Sequence, residues 1–506
     1  FFDLGGDSLL GTSLIINLAQ ILGIVLPLQT LYENPIISDF INCIKAISNS
    51  NEKPPHKKYL QEQHSQTLAQ DAALDFDIHL NEQNPPVVSD MSEESSNIFL
   101  TGATGFFGAF LLKELLKTTK AMIHCLVRAN DIVHAYTRIL DTLKKYKISI
   151  SSTEANRIIG IPGDLAQSNL GLSEAKFTAL AQTMDMIFHS GAAVNYVDPY
   201  SKLKPTNVFG THEIIRLSCH QIPFHKNSIP IHYISSISVF ETLGFFTGRD
   251  VVFENESVDI SESYVRLGYS QSKWVAEKLM ENARAKGLPI NIYRSAYIMG
   301  YSETGVSNTT DHIARYIAGC IEMGCAPILN ECASLTPVDQ VSRALCHIAL
   351  HAKYQQKTQG QTYHLCNPTF ISVTEIYQQI QNFGFPLKLI TYDEWKEQLK
   401  TIPNTNPLYP LLSLHIHSAP NHDLTLPELY ERNTRFDCTN LLNALAGSGI
   451  QLGLNNTEVF ERWLNNYVEA GLISEQSFQQ ALDSTDKSQS IKPIKSSLQG
   501  VNACKA

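Results

Sequence analysis

The sequence has few of the features that would place the protein in a membrane or on nucleic acid. No apolar run approaches the roughly 18 residues that a membrane-spanning helix needs. The formal net charge of −10 argues against the clustered Lys and Arg that nucleic acid requires. The ten cysteines form no CxxC pair, so neither a metal site nor a disulfide framework is indicated. We expect reduced thiols, a cytoplasmic protein, and no metal, nucleic acid or membrane partner.

Two further absences narrow the function and the origin of the chain. The GxSxG turn that carries the nucleophile of α/β-hydrolases is missing, which argues against hydrolytic chemistry of that kind. The N-terminus lacks the basic segment of a signal peptide, and the chain begins at Phe1 inside a pattern typical of ordered structure. We therefore expect a part of a longer polypeptide. With 506 residues and 43% hydrophobic content, several globular domains can form.

Composition and periodicity divide the chain into successive parts. Residues 1–47 have helical spacing of apolar residues and predict a small, partial all-α domain. Residues 48–95 are rich in polar residues and predict a linker, although its later part, from Ala72 to Leu80, regains apolar side chains. Residues 96–305 alternate short apolar strands with helices, residues 306–484 are rich in helices, and residues 485–506 predict a disordered tail.

The alternation of strands and helices indicates the α/β class. It predicts a Rossmann-type parallel sheet covered on both faces, followed by a helix-rich C-terminal subdomain with some segments returning to the sheet. The predicted strands are 98–100, 122–127, 158–162, 186–189, 231–234 and 290–293. The predicted helices between them are 106–116, 173–183, 206–219 and 270–286.

The first strand leads into a glycine-rich turn that opens a helix. Gly102, Gly105 and Gly108 have the spacing GxxGxxG. Glycines allow the backbone to approach a pyrophosphate closely, and the helix N-terminus supplies free N–H groups and a positive dipole end. The motif predicts a dinucleotide site rather than a plain turn, and its cofactor contacts would come from Thr101, Gly102, Thr104, Gly105, Phe106 and Gly108.

Arg128 follows the second strand, where the type of dinucleotide is usually decided. An acidic residue here would bind the ribose 2′-hydroxyl of NAD, whereas an Arg suits the 2′-phosphate of NADP. Arg128, assisted by Arg138, predicts NADPH, with a solvated surface Arg as the alternative. Further cofactor contacts are predicted after later strands, at Asp164, Leu165, Ser190, Gly191, Ala192 and Asn207, with ordinary loop residues as the alternative.

A third pattern, Tyr269-Ser-Gln-Ser-Lys273, places a phenol and an ammonium one helical turn apart. A nearby ammonium favours the phenolate, so we expect a lowered pKa for Tyr269 and a usable acid or base. Ser236, near the end of a strand, is predicted to hydrogen-bond a substrate carbonyl beside Tyr269, with Ser235 as the fallback. These serines could instead only form the turn. The predicted catalytic residues are thus Ser236, Tyr269 and Lys273.

The last motif, Asp3-Leu-Gly-Gly-Asp-Ser8-Leu9, resembles the phosphopantetheine-attachment site of peptidyl and acyl carrier domains, although a Ser in this position is usually a helix N-cap. Residues 98–300 resemble an extended short-chain dehydrogenase/reductase. The whole arrangement resembles a carrier domain followed by the terminal thioester reductase domain of nonribosomal peptide synthetases, an arrangement shared by carboxylic acid and aminoadipate reductases.

The resemblance implies that Ser8 carries 4′-phosphopantetheine, added by a phosphopantetheinyl transferase. Its thiol would hold a peptidyl or aminoacyl chain supplied by upstream synthetase domains of the same polypeptide. NADPH would reduce this thioester to an aldehyde, or further to an alcohol, with catalysis by Ser236, Tyr269 and Lys273. Two departures are the missing first carrier helix and Arg294-Ser-Ala296, where family members carry Arg-Pro-Gly.

Three other functions are weighed against reductive release. A non-redox cyclase on the same scaffold is expected to lack the catalytic Tyr, which is present here. A sugar-nucleotide epimerase or dehydratase would not carry the carrier motif. A non-catalytic carrier or docking module would not need the glycine turn together with Ser236, Tyr269 and Lys273. The acyl group, the extent of its reduction and the oligomeric state cannot be read from the sequence.

Overall fold

The computed structural model describes residues 1, 10–11, 14–15, 18, 21–22, 28–49, 67–78, 96–220, 228–350, 360–419, 422–432, 434–453 and 457–488. Strands β1 to β15 are, in chain order, Asn97–Thr101, Met122–Val127, Ile158–Pro162, Met186–His189, Ile231–Ser236, Val251–Val252, Ile290–Ser295, Tyr297–Met299, Cys325–Pro327, Cys332–Ala333, Leu335–Pro337, Thr362–Leu365, Ile371–Ser372, Lys388–Ile390 and Arg435–Phe436.

Helices α1 to α19 are Leu28–Glu33, Ile37–Asn49, Phe106–Thr118, Ile132–Lys145, Ser152–Ala155, Glu174–Thr183, Tyr200–Lys204, Gly210–Ser218, Leu243–Thr247, Gly268–Ala285, His312–Met323, Val338–Leu350, Val373–Phe383, Tyr392–Leu399, Leu412–Ile416, Leu426–Tyr430, Thr439–Leu445, Thr457–Glu469 and Glu475–Ser488. Short 3₁₀ turns occur at Ser168–Gly171, Ile237–Phe240, Val258–Tyr264 and Tyr409–Leu411, and a π-helical turn at Pro205–Phe209.

A seven-stranded sheet organises the larger part of the molecule. Its strand order is β12-β7-β5-β4-β1-β2-β3, and every neighbouring pair is parallel. Strands β4 and β7 are buried along their whole length, as expected where both faces of a parallel sheet are covered. The order reverses between β1 and β4, so a crevice forms beyond their carboxyl ends, where open α/β sheets bind ligands.

Helices pack on both faces of this sheet. On one face, α3, α4 and α12 contribute a continuous apolar core with the strands. On the other face, α6, α8 and α10 do the same. The helix-rich C-terminal region has a core of its own, built around Trp395 and Trp463. Yet its β12 pairs with β7 at the sheet edge, and its α12 helps to cover the sheet.

The structure adds elements that the sequence patterns did not predict. Helix α4 begins after Asp131, whose carboxylate accepts the N–H of His134, and it buries Ala135, Ile139 and Leu143 at helical spacing. Helix α19 continues to Ser488, so it enters the segment predicted as a disordered tail. No helix among the described residues is long and apolar enough to cross a membrane.

Part of the predicted linker packs on the sheet domain. Residues 67–71 are helical, and Leu68 and Ala72 are buried in the core beneath α6, α8 and α10. Asp71 accepts hydrogen bonds from the Tyr200 hydroxyl and the Lys204 ammonium, each at 2.7 Å. This stretch is therefore an ordered extension of the sheet domain, because its apolar side chains find a core there.

Candidate functional site

The glycine turn lies in the crevice where the sheet order reverses. Gly102 has φ +83°, and a Cβ added to it would lie 2.8 Å from the Gly191 nitrogen. A Cβ on Gly108 would lie 2.0 Å from the Gly102 carbonyl oxygen. Helix α3 begins after Gly105, which has no side chain to cap the first N–H groups. The turn thus offers the close backbone approach and the helix N-terminus that a pyrophosphate needs.

A buried chain of hydrogen bonds fixes this turn to the end of β4. The Gly191 N–H donates to Thr101 Oγ1 at 2.9 Å, and Thr101 Oγ1 lies 2.8 Å from His189 Nδ1. His189 Nε2 lies 3.0 Å from Thr211 Oγ1, which donates to the Asn207 carbonyl at 2.6 Å. These partners place the His189 proton on Nε2, and burial lowers the pKa of His189 to about 3, so it stays neutral.

Asn207 connects the segment after β4 to helix α10. Its amide oxygen accepts the Ala193 N–H at 2.7 Å. Its amide nitrogen donates to the Ala193 carbonyl at 2.9 Å and to Ser272 Oγ at 2.8 Å. Asn207 therefore ties the backbone at Ala193 to helix α10, the helix that carries Tyr269 and Lys273.

The other predicted cofactor residues lie along the same carboxyl edge. Arg128 is exposed just after β2, and the Arg138 guanidinium donates to its carbonyl oxygen. The Asp164 carboxylate accepts the Ala166 N–H at 3.0 Å, and Leu165 packs so closely that a Cβ on Gly191 would lie 2.7 Å from its Cδ1. The remaining predicted contacts are partly exposed in the same crevice, at Thr104, Phe106, Ser190 and Ala192.

The two candidate serines at the end of β5 point in different directions, as neighbouring strand residues do. Ser236 is close enough to the Tyr269 phenol to lower the pKa of that phenol, and it accepts the Ser238 N–H at 3.1 Å. Ser235 donates instead to the Glu277 carboxylate, which also accepts the Arg294 Nε–H at 2.7 Å. Of the two serines, Ser236 has the geometry to share a substrate oxygen with Tyr269.

The expected lowering of the Tyr269 pKa is wrong. Burial raises the pKa of Tyr269 to about 12, although the nearby Ser236 hydroxyl opposes the rise. Burial also lowers the pKa of Lys273 to about 7, and its Nζ donates to the Ile234 carbonyl at 2.7 Å. The cost of burying a phenolate at Tyr269 or an ammonium at Lys273 exceeds the attraction between them that their helical spacing led us to expect. Tyr269 is therefore a neutral phenol, suited to donate a proton.

The lowered pKa of Lys273 makes the stability of the protein depend on pH. Between the folded value of about 7 and the ordinary value of 10.5, the unfolded chain binds more protons than the folded one. The stability that depends on a neutral Lys273 is fully present above pH 10.5, and it is lost as the pH falls through 7. We expect the unfolding free energy of the unaltered protein, relative to Lys273→Met, to rise from pH 7 to pH 10 by roughly 1–4 kcal/mol.

Urea unfolding of both proteins at both pH values measures this difference. The comparison between variants cancels the other groups that titrate over the same range. A difference that is the same at pH 7 and pH 10 would contradict the lowered pKa of Lys273.

The N-terminal helices contact the edge of this site. The Tyr32 hydroxyl, on α1, donates to the Asp198 carboxylate at 2.7 Å, and Val197 packs against the apolar cluster of the N-terminal helices. The same short segment carries Tyr196, whose ring centroid lies 5.5 Å from that of Tyr269. Ser8 lies outside the described residues.

Fold and site together define an NAD(P)-binding reductase of the short-chain dehydrogenase/reductase type. The family model described as "Male sterility protein" matches residues 100–345, and the model described as "Phosphopantetheine attachment site" matches residues 1–44. The crystal structure of the terminal R domain from the myxalamid PKS-NRPS pathway is 34% identical, with a TM-score of 0.71, over 81% of this chain and 99% of that one. The chain belongs to the terminal reductase domains of nonribosomal peptide synthetases and includes a phosphopantetheine-binding carrier domain.

Longer relatives match this chain over part of their own length. A linear gramicidin synthase of Brevibacillus parabrevis is 39% identical over 79% of this chain and 8% of its own length. The nonribosomal peptide synthetase asaC of Aspergillus flavus is 34% identical over 94% of this chain and 45% of its own. The chain thus spans less than half of either synthetase. A thiolation-reductase di-domain from an archaeal synthetase shares the fold, with 20% identity and a TM-score of 0.67 over 93% of this chain and 92% of that one.

Proposed function

We propose that this chain releases a peptidyl or aminoacyl group from its carrier domain by NADPH-dependent reduction of the thioester to an aldehyde. The observation that carries the proposal is the cluster of Ser236, Tyr269 and Lys273 beside the glycine turn, in a chain whose carrier helices contact the same edge. The intact phenol of Tyr269 disfavours the non-redox cyclase. The presence of a carrier domain and a reductase domain in one chain disfavours a sugar-nucleotide epimerase or dehydratase.

The site residues fit a nicotinamide cofactor and a thioester. Gly102, Gly105 and Gly108 provide the cradle for the pyrophosphate, and bound NADPH supplies the hydride that reduces the thioester carbonyl carbon. Ser236 and Tyr269 donate hydrogen bonds to the carbonyl oxygen as negative charge develops on it, and such fixed donors stabilise the transition state. Lys273 donates to the Ile234 carbonyl and lies over the Tyr233 ring, and in this proposal its ammonium holds the nicotinamide ribose.

The proton of Tyr269 completes the first step, because the carbonyl oxygen takes it up as the carbon receives the hydride. The product of that step is a hemithioacetal of the pantetheine thiol. Its carbon–sulfur bond then breaks, the hydroxyl proton returns to the Tyr269 oxygen, and the departing thiolate takes up a proton from solvent. The aldehyde leaves the site, and the pantetheine arm, now with a free thiol, remains attached to the carrier domain. Holding the substrate on a tether gives it a high local concentration, so its direct contacts with the pocket can be modest.

Several finer assignments belong to the same proposal. The exposed guanidinium of Arg128, with Arg138 bonded to its backbone, supports NADPH over NADH through the 2′-phosphate. Ser8 would be loaded by a phosphopantetheinyl transferase, and the acyl chain would come from upstream synthetase modules. The cysteines that the structure describes form no disulfide with one another, which supports a cytoplasmic location.

The function is tested by loading the carrier with a model aminoacyl-pantetheine and following NADPH absorbance. We expect oxidation of NADPH together with release of an aldehyde, identified by its mass; an alcohol of the corresponding mass would show a second reduction. The Ser8→Ala chain cannot be loaded and should oxidise no NADPH under the same conditions. If the loaded protein leaves NADPH unchanged, the proposal fails.

A further inference from the structure

An ion pair is buried between helix α10 and strand β7. The side chains of Arg294 and Glu277 have no exposed surface, and the Arg294 Nε–H donates to the Glu277 carboxylate at 2.7 Å. Taking two charges out of water is costly, and apolar residues of similar volume often stabilise a protein equally well or better. Stability alone therefore does not account for this pair, and Glu277 lies one helical turn from Lys273.

Arg294 is a fixed positive charge, because each of its three guanidinium nitrogens has an acceptor. Besides the bond to Glu277, Nη2 donates to the Glu256 carbonyl at 2.7 Å, and Nη1 lies 3.2 Å from His364 Nε2. His364 Nδ1 lies 2.6 Å from the Asp437 carbonyl oxygen and donates to it, so Nε2 is the acceptor. Burial lowers the pKa of His364 to about 3, so this ring is neutral at pH 7. Arg294 is thus held in place, and it holds Glu277 in turn.

The second oxygen of the Glu277 carboxylate faces strand β5. It accepts the hydroxyl of Ser235, the neighbour of Ser236. The preceding carbonyl, that of Ile234, accepts the Lys273 ammonium at 2.7 Å. Helix α10 therefore binds the end of β5 through two side chains, which lie on one face of the helix because they are four residues apart. These contacts fix the carboxylate where its charge acts on Lys273.

The negative charge of Glu277 favours the protonated form of Lys273. Burial lowers the pKa of Lys273 to about 7, and Glu277 opposes that fall. The other titratable side chains around Lys273 are His189 on β4, Tyr269 on α10 and Tyr233 on β5, whose ring centroid lies 4.4 Å from the ammonium nitrogen. Burial lowers the pKa of His189 and raises the pKa of both tyrosines, so all three are neutral at pH 7. The charge that stabilises the Lys273 ammonium therefore comes from Glu277.

We infer that Glu277 is a positioning residue of the reductase: anchored by Arg294 and Ser235, its carboxylate supplies the negative charge that keeps an ammonium at Lys273. The carboxylate is fully buried, so it acts through Lys273 and not by contact with NADPH or the thioester. The inference rests on the proposed function, in which the Lys273 ammonium holds the nicotinamide ribose. Cofactor binding should then weaken as the pH rises past the point where Lys273 loses its proton, and Glu277 sets that point.

The test measures the Kd of NADP⁺ for the complete chain by calorimetry, at several pH values between about 5 and 9. We expect the Kd of the unaltered protein to rise as the pH passes about 7. Glu277→Gln keeps an acceptor for Arg294 and removes the charge, so the same rise should occur about one pH unit lower and weaken binding about fivefold at pH 7. At a pH of about 5 both proteins should bind alike, because Lys273 is then protonated in both. Both also experience the same titration of the cofactor phosphates, so their difference reports Lys273.

Two results overturn the inference. One is a pH dependence of the Kd that Glu277→Gln leaves unchanged. The other is binding that Glu277→Gln weakens by the same factor at every pH, which is what a purely structural defect would produce. If the loaded protein reduces its thioester while either result holds, the inference fails and the proposed function stands. If the loaded protein leaves NADPH unoxidised, the proposed function itself fails.

Two further variants separate the charge at Glu277 from its surroundings. Glu281→Gln removes a carboxylate one turn further along α10, 3.7 Å from the Arg294 guanidinium, and should leave the pH dependence of the Kd as it is in the unaltered protein. The double variant Glu277→Gln, Arg294→Gln removes both buried charges, so no unpaired charge destabilises the fold. It should show the same shift to lower pH as Glu277→Gln. An equal shift in Glu281→Gln, or none in the double variant, would contradict the inference.

Discussion

Replacing Tyr269 by Phe is expected to slow NADPH-dependent reduction of a carrier-bound thioester by about 10²–10⁴-fold, the usual contribution of a positioned proton donor. The phenol is buried beside Ser236, and its raised pKa keeps the proton on the oxygen until the substrate oxygen needs it. Phe fills the same space, so the packing against Tyr196 and the cofactor cradle should persist. Single-turnover oxidation of NADPH by the loaded protein measures the loss.

The matched control is Tyr363→Phe. Tyr363 is also buried, on β12, where its ring stacks on that of Tyr293, but it has no contact with Ser236, Tyr269 or Lys273 in the structure. Removing the Tyr363 hydroxyl should leave the turnover rate close to that of the unaltered protein. Both Tyr363→Phe and Tyr269→Phe should bind NADPH as the unaltered protein does. A Tyr269→Phe protein that reduces its thioester at an undiminished rate would remove Tyr269 from the mechanism.

The sheet could be predicted from the sequence because its strands are buried on both faces and are therefore short, continuous apolar runs. Strands β1, β4, β5 and β7 are buried over nearly all of their length, whereas the edge strand β3 is only partly buried. The glycine turn after β1 indicated the carboxyl edge as the candidate site. Strand β12 was not predicted as a strand. It has only four residues, and its place depends on pairing with β7, about seventy positions earlier in the chain. Sequence periodicity carries no information on such distant pairing.

The pKa values in the candidate site could not be predicted from the spacing of its residues. The spacing of Tyr269 and Lys273 places the two groups on one helix face, but spacing does not give their burial, and burial reverses the expected direction of the Tyr269 pKa. His189 was missed for a related reason. Only the register that sets Thr101 beside His189 makes this histidine a link between the glycine turn and Asn207.

Adding one methyl group at Gly108 should disrupt the cofactor cradle. In Gly108→Ala the new Cβ would lie 2.0 Å from the Gly102 oxygen and 2.6 Å from the Gly102 carbonyl carbon. Both are backbone atoms, and Gly102 itself is pressed against Gly191, so the turn has no room to yield. Overpacking of this kind costs about 1–3 kcal/mol or more, which corresponds to about 5–150-fold in an equilibrium. We expect weaker NADPH binding and a lower unfolding temperature.

Gly105→Ala, in the same turn, is the control. It shows whether any alanine in the turn destabilises the protein or only one whose Cβ clashes with the backbone. Its Cβ would lie 3.3 Å from the same carbonyl oxygen, a distance that a shift of a few tenths of an ångström relieves. Gly105 has φ −94° and ψ 169°, which alanine adopts without strain. The unfolding temperature of Gly105→Ala should therefore stay much closer to that of the unaltered protein. If Gly108→Ala binds NADPH and unfolds as the unaltered protein does, the turn is not held as tightly as Gly102 and Gly191 indicate, and its role as a pyrophosphate cradle loses its structural basis.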